Sequence, residues 1–137
     1  MTTDGAVDAR RQAFSRVPFT RLLGVRREYS EGGRSRFVVD ARPEFENVIG
    51  AMHGGIVATL LDVAMASAAV SKVDFDMTAV TLSMNSTFIR PGHGQLTADG
   101  EVLAVEDAVA LCQASVTDDG GRLVARAIGS FRYLPHR

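Results

Sequence analysis

The stretch Ile56–Val73 reads IVATLLDVAMASAAVSKV, and Thr59, Asp62, Ser67, Ser71 and Lys72 are its polar residues. Runs this rich in Ala, Leu and Met predict a helix. A helix that is apolar on nearly every side has to be covered on nearly every side. The longest apolar stretch, Ile56–Val70, is too short to span a bilayer and carries Asp62 near the middle, so it reads as a buried helix and not as a membrane anchor.

The flanking segments supply the cover. Leu22–Tyr29 and Arg34–Arg42 suit strands, and SEGGRS between them is turn-like, which predicts a hairpin with Phe37, Val39 and Ala41 on one face. Asp8–Arg16 reads as a short surface helix interrupted by Pro18, so residues 1–18 form an N-terminal helical extension. The loop PEFENVIGAMHGG, Pro43–Gly55, feeds the long helix. Beyond it Val80, Leu82, Met84 and Phe88 alternate with Thr81, Ser83, Asn85 and Thr87, the period of a strand. Gln95–Val105, Ala108–Thr117 and Arg122–Leu134 are further strands, with turns at Glu106-Asp107 and Asp118–Gly121, and the whole reads as an antiparallel meander. The fold class is α+β, a long central helix against an antiparallel sheet. One sheet face covers only about half of a helix, so a second subunit is expected to cover the rest.

Composition agrees. A chain of 137 residues with 46% hydrophobic and 23% charged residues fits one domain with a sizeable core. A formal charge of −1 selects no nucleic-acid partner. The single cysteine, Cys112, makes no intrachain disulfide and reads as a buried structural thiol, and Met1–Phe14 lacks a secretory pattern, so a cytoplasmic location is expected. Three scattered histidines and one cysteine have no metal-ligand spacing, and His93 and His136 read as surface residues.

Asp62 is the most informative position. A carboxylate inside an apolar helix titrates high unless polar partners hold it, and such groups in clefts are candidates for chemistry. The same position also fits a wet stripe shared with Thr59. His53-Gly54-Gly55 stands directly before the helix, where glycines allow close backbone approach and free N–H groups suit a developing oxyanion. A plain loop-to-helix junction gives the same letters. From Gly54 to Asp62 the helix rises about 12 Å, so one carbonyl cannot touch both. If both serve one reaction, Asp62 comes from a neighbouring subunit whose helix runs antiparallel.

The segment NVIGAMHGGIVATLLD, Asn47–Asp62, resembles the active-site segment of hotdog-fold acyl-CoA thioesterases of the phenylacetate-pathway, or PaaI-like, type. The resemblance extends over the order of elements from Phe19 to Leu134 and to AVTLSMNSTFIRP, Ala79–Pro91. It implies a hotdog fold and hydrolysis of an aryl or medium-chain acyl-CoA, at sites shared between subunits of a dimer of dimers. Asp62 would be general base or nucleophile, and the Gly54 N–H would polarise the carbonyl. His53 and Asn47 would position the thioester, and Thr81 would hold the water or Asp62. Met52, Val57, Met65 and Phe88 would wall the pocket beside Gly55, while Arg90 and Arg132 could meet the coenzyme A phosphates. A thioester is electrophilic enough for one base and an oxyanion site to suffice; no cofactor is called for, and no G-x-S-x-G elbow occurs. A non-catalytic acyl-CoA sensor has no use for a carboxylate facing the thioester. Enoyl-CoA hydration would call for a D-x-N-P-x-H segment, which the chain lacks.

Overall fold

A computed structural model describes Gly5, Ala9, Arg10, Gln12 and residues 16–136. Most of the expected helix at Asp8–Arg16 lies outside the described residues. Helix α1 spans Pro18–Leu22. The expected strand start at Leu22 is therefore corrected. Pro18 sits in the first turn, where its missing N–H and fixed φ favour a helix start, and Gly24 with φ +70° turns the chain into β1. The strands are β1 Arg26–Glu31, β2 Arg34–Val39, β3 Met77–Phe88, β4 Leu96–Glu106, β5 Val109–Thr117 and β6 Leu123–Pro135; α2 spans Gly54–Lys72. β2 stops at Val39, so Ala41 lies outside it and is exposed.

The strands form one antiparallel sheet in the order β1-β2-β4-β5-β6-β3. β4, β5 and β6 do follow one another as a meander. β3 does not: it crosses to the far edge and pairs with β6. The sheet has the hotdog arrangement, with α2 packed across one face. Phe37, Ala98, Val116 and Ala125 stand opposite one another across four strands, all buried, and form one row of the core beneath the helix.

Small and hydroxyl residues let α2 approach the sheet closely. A Cβ on Gly100 would collide with the Ala64 carbonyl, which accepts a bond from Ser35 Oγ at 2.6 Å. The polar residues buried along α2 are all satisfied across this contact. Ser67 Oγ pairs with Ser30 Oγ at 2.5 Å, Ser71 Oγ accepts from the Gly33 N–H at 3.0 Å, and Tyr133 Oη donates to the Ala69 carbonyl at 2.5 Å. By length and a mean hydropathy of 1.6, α2 could cross a membrane, beyond what the stretch Ile56–Val70 suggested; more than half of it is packed inside this fold. Cys112 is fully buried, and burial pushes its thiol up to about 12.

A bulge between Thr81 and Ser83 changes the phase of β3. Thr81 faces Phe131, and beyond the bulge Met84 faces Gly129 and Phe88 faces Ala125, so these three side chains share the helix side. Val80, opposite Arg132, points to the other face. The uninterrupted alternation expected from the sequence is thus broken at Leu82, and this places a hydroxyl next to α2.

The two edges of the sheet differ. β1 reads RREYSE, with four charged residues among six. β3 runs twelve residues, MTAVTLSMNSTF, without a charge or a proline. Val80, Leu82 and Phe88 on it are each more than two-fifths exposed.

Candidate active site

The loop from Pro43 to His53 is tied down by its own backbone. Asn47 Oδ1 accepts from the N–H groups of Ile49 and Ala51, both at 3.0 Å, and the Ala51 carbonyl takes the Asn47 N–H at 2.7 Å. His53 N–H bonds the Phe45 carbonyl at 2.6 Å, and Met52 N–H bonds the Gly92 carbonyl at 2.9 Å, which locks the loop to the segment after β3. His53 is the N-cap of α2, its Nδ1 accepting the Gly55 N–H at 2.8 Å. Its carbonyl takes the N–H groups of Ile56 and Val57. Among the described residues the Gly54 N–H has no partner, so it is the donor left at the positive end of the helix. It opens on a cavity of about 330 Å³ whose lining includes Asn47, Met52, Gly54, Val57, Phe88 and Arg90.

Asp62 opens elsewhere. It lines a more enclosed cavity of about 150 Å³ with Val17 and Thr20 of α1 and its cap, Val25, Phe37, Val63 and Ala66; Arg27 completes the wall. Thr81 Oγ1, brought inward by the bulge, donates to Asp62 Oδ1 at 2.6 Å. Thr59 instead donates to the Gly55 carbonyl at 2.8 Å within its own helix. The side-chain partner of Asp62 therefore comes from β3, while Thr59, one turn earlier and like Asp62 half-buried, bonds within its own helix.

The structure thus groups Asn47, Met52, Gly54, Phe88 and Arg90 at one end of α2 and joins Asp62 to Thr81 at its middle. Three expectations change in detail. Met65 is a core residue with no exposed surface, beneath Gly129, and not a pocket wall. The Gly55 N–H and the His53 ring occupy each other in the helix cap. The Asn47 oxygen is spent shaping its loop, which leaves its amide nitrogen as the free group. Arg132 faces Val80 and Val109 on the sheet side away from α2. His93 is exposed, and His136 Nε2 lies 3.0 Å from the Phe75 carbonyl. Among the described residues no three His, Cys, Asp or Glu side chains gather as a metal site. The sequence reading missed the walls given by Val17, Thr20 and Arg27, because no local pattern reports that α1 and its cap line the same cavity as Asp62.

Residues 49–125 match the family model of the thioesterase superfamily. The chain belongs to that superfamily. As a thioesterase-superfamily member it is a hydrolase, and the matched span holds the Gly54 helix start, Asp62 and Thr81. The chain is 32% identical over 105 residues to "Putative esterase SSO2140" of Saccharolobus solfataricus, covering 76% of this chain and 74% of that one. Conserved protein PA5202 of Pseudomonas aeruginosa superposes with a TM-score of 0.84 at 27% identity, over 90% of this chain and 98% of that one. The PaaI protein of E. coli, from the phenylacetic acid degradation operon, has a TM-score of 0.85 at 20% identity, over 97% and 96% of the two chains, and shares the fold. This superfamily member shares its fold with the PaaI protein over nearly the whole of both chains.

Proposed function

We propose that this thioesterase hydrolyses an acyl-CoA to a free acid and coenzyme A, in a site built from two protomers. The observation that carries the reading is the separation of the two chemical groups of α2. The unpaired Gly54 N–H and the Thr81-held Asp62 open into different cavities of one chain. A second copy that brings its helix N-terminus to this chain's Asp62 completes the set. The uncharged edge β3, which carries Thr81, is the natural seam, since an edge without charge or proline is a template for pairing.

In that arrangement the thioester carbonyl oxygen accepts the N–H of Gly54 of the partner subunit, at the end of a helix whose dipole favours negative charge. Asp62 removes a proton from water as the water oxygen attacks the carbonyl carbon, or attacks that carbon itself. The tetrahedral intermediate collapses with cleavage of the C–S bond; in the first case the proton taken up by Asp62 passes to the departing thiolate, and in the second the thiolate takes a proton from solvent and water then hydrolyses the acyl-Asp62 anhydride to the free acid. The Thr81 hydroxyl keeps one Asp62 oxygen fixed, so the other faces the reaction. The cavity beside Asp62 is about 150 Å³, the size of an engineered apolar cavity that accepts benzene, and so suits a ring-sized or similarly compact acyl group. Two such dimers associate, as the resemblance to PaaI-like thioesterases implies.

The test is release of free thiol, followed with a disulfide reagent, from phenylacetyl-, hydroxybenzoyl- and medium-chain acyl-CoAs. Wild type is expected to turn over at least one, and Asp62→Asn to lose about 10²–10⁴-fold in kcat while still binding substrate. Equal rates for the two proteins would leave Asp62 as an ordinary polar residue of the helix.

A further inference from the structure

A third cavity, about 370 Å³, is lined by Arg21 of α1 where the Asp62 cavity is lined by Thr20, and the two share Val25. Its charged lining is Arg21, Arg26 and Arg42 against the single carboxylate of Asp40. The chain as a whole carries −1, so this corner is a local reversal of charge.

The three guanidiniums are not equivalent. Arg26 is engaged by Asp40, at 2.8 and 3.4 Å, and Gln95 Nε2 also donates to Asp40 at 2.9 Å. That leaves the acid neutralised by its neighbours. Arg42 lies 4.1 Å over the Phe45 ring and gives one N–H to the Leu22 carbonyl at 3.1 Å. Its plane is therefore fixed while its other donors stay open. Arg21, in the last turn of α1, has no side-chain partner among the described residues. A fixed planar fork beside a free cation suits a phosphate, which arginine grips through paired N–H donors.

Resting on the acyl-CoA reading above, we infer that Arg21 and Arg42 hold the phosphates of the nucleotide end of coenzyme A. The acyl group then lies in the Asp62 cavity and the diphosphate and 3′-phosphate in the arginine-lined one, with α1 contributing to the lining of both. This places the nucleotide away from Arg90, which lines the cavity at Gly54.

The experiment is calorimetric titration of the full-length protein with coenzyme A itself. It compares wild type with Arg21→Gln, the double variant Arg21→Gln/Arg42→Gln, Arg90→Gln, and Arg34→Gln, whose guanidinium pairs with Glu101. The same proteins are assayed with an acyl-CoA and with the matching acyl-pantetheine, which lacks the nucleotide. Expected are a coenzyme A affinity about tenfold weaker in the double variant, the scale of one lost charge-assisted hydrogen bond, and a similar fall in the kcat/KM ratio of acyl-CoA to acyl-pantetheine. Arg21→Gln alone should show part of the loss, and because that side chain holds nothing else in place it keeps the test independent of folding. Unchanged affinity in both cluster variants, or a loss confined to Arg90→Gln, overturns the inference. Failure of wild type to hydrolyse either thioester overturns the thioesterase reading instead, and the titration still decides the phosphate site.

Discussion

Replacing Thr81 by Val removes one atom that matters and keeps the shape of the side chain. In the structure the Thr81 hydroxyl donates to Asp62 Oδ1 at 2.6 Å, and Thr81 lies exposed on an edge strand. A hydrogen bond to a charged group contributes about 1.5–3 kcal/mol, and an exposed one belongs at the lower end. A loss of about 1.5 kcal/mol in the transition state is about tenfold in kcat/KM. Thr81→Ser keeps the donor and should stay within about twofold of wild type by the same scale. The decisive comparison is a double-mutant cycle. If Thr81 acts by fixing Asp62, then Thr81→Val has no further effect once Asp62 is Asn, because the group it positions no longer reacts. The assay is thiol release under kcat/KM conditions, with thermal unfolding run on every variant to show that stability is unmoved. A tenfold loss that persists on the Asp62→Asn background, or no loss in the single variant, would refute the positioning role.

Two further predictions concern the fold that holds the site. Gly100→Ala pushes a methyl into the Ala64 carbonyl and should destabilise by about 1–3 kcal/mol, read as a lower urea midpoint with the slope unchanged. Burial raises the Cys112 thiol from 9.0 to about 12, and burial followed by the nearby Cys112 raises Tyr133 from 10.0 to about 12. Both groups favour the protonated folded state, so their contribution is complete below pH 9 and fades as the unfolded chain ionises first on the way up to pH 12. Cys112→Ala should therefore flatten, without abolishing, the alkaline decline measured by denaturant unfolding at a series of pH values.

The sequence is most legible where a signal is local and continuous. Ile56–Val73 has the composition of one long buried helix, and the structure gives Gly54–Lys72. The DDGG turn at Asp118–Gly121 joins β5 to β6 as expected. What stayed out of reach depends on contacts between distant segments. No letter in MTAVTLSMNSTF says that this strand pairs with β6 and not with β4, and none marks the bulge at Leu82 that turns Thr81 toward Asp62. Met65 has the size and chemistry of a pocket wall, and only its position beneath Gly129 shows that it is core. Pro18 looked like a terminator because proline ends helices from inside, yet in the first turn it starts one.

The unlike edges of the sheet also govern how far association can go. Two copies that join their uncharged β3 strands about a twofold axis use up both permissive edges in one step. The ends that remain are the two β1 strands, each presenting the charges of RREYSE, which a further strand would have to desolvate. A ribbon joined in this way would count twelve strands, twice the six of one protomer, with a charged β1 strand at each end to stop its growth.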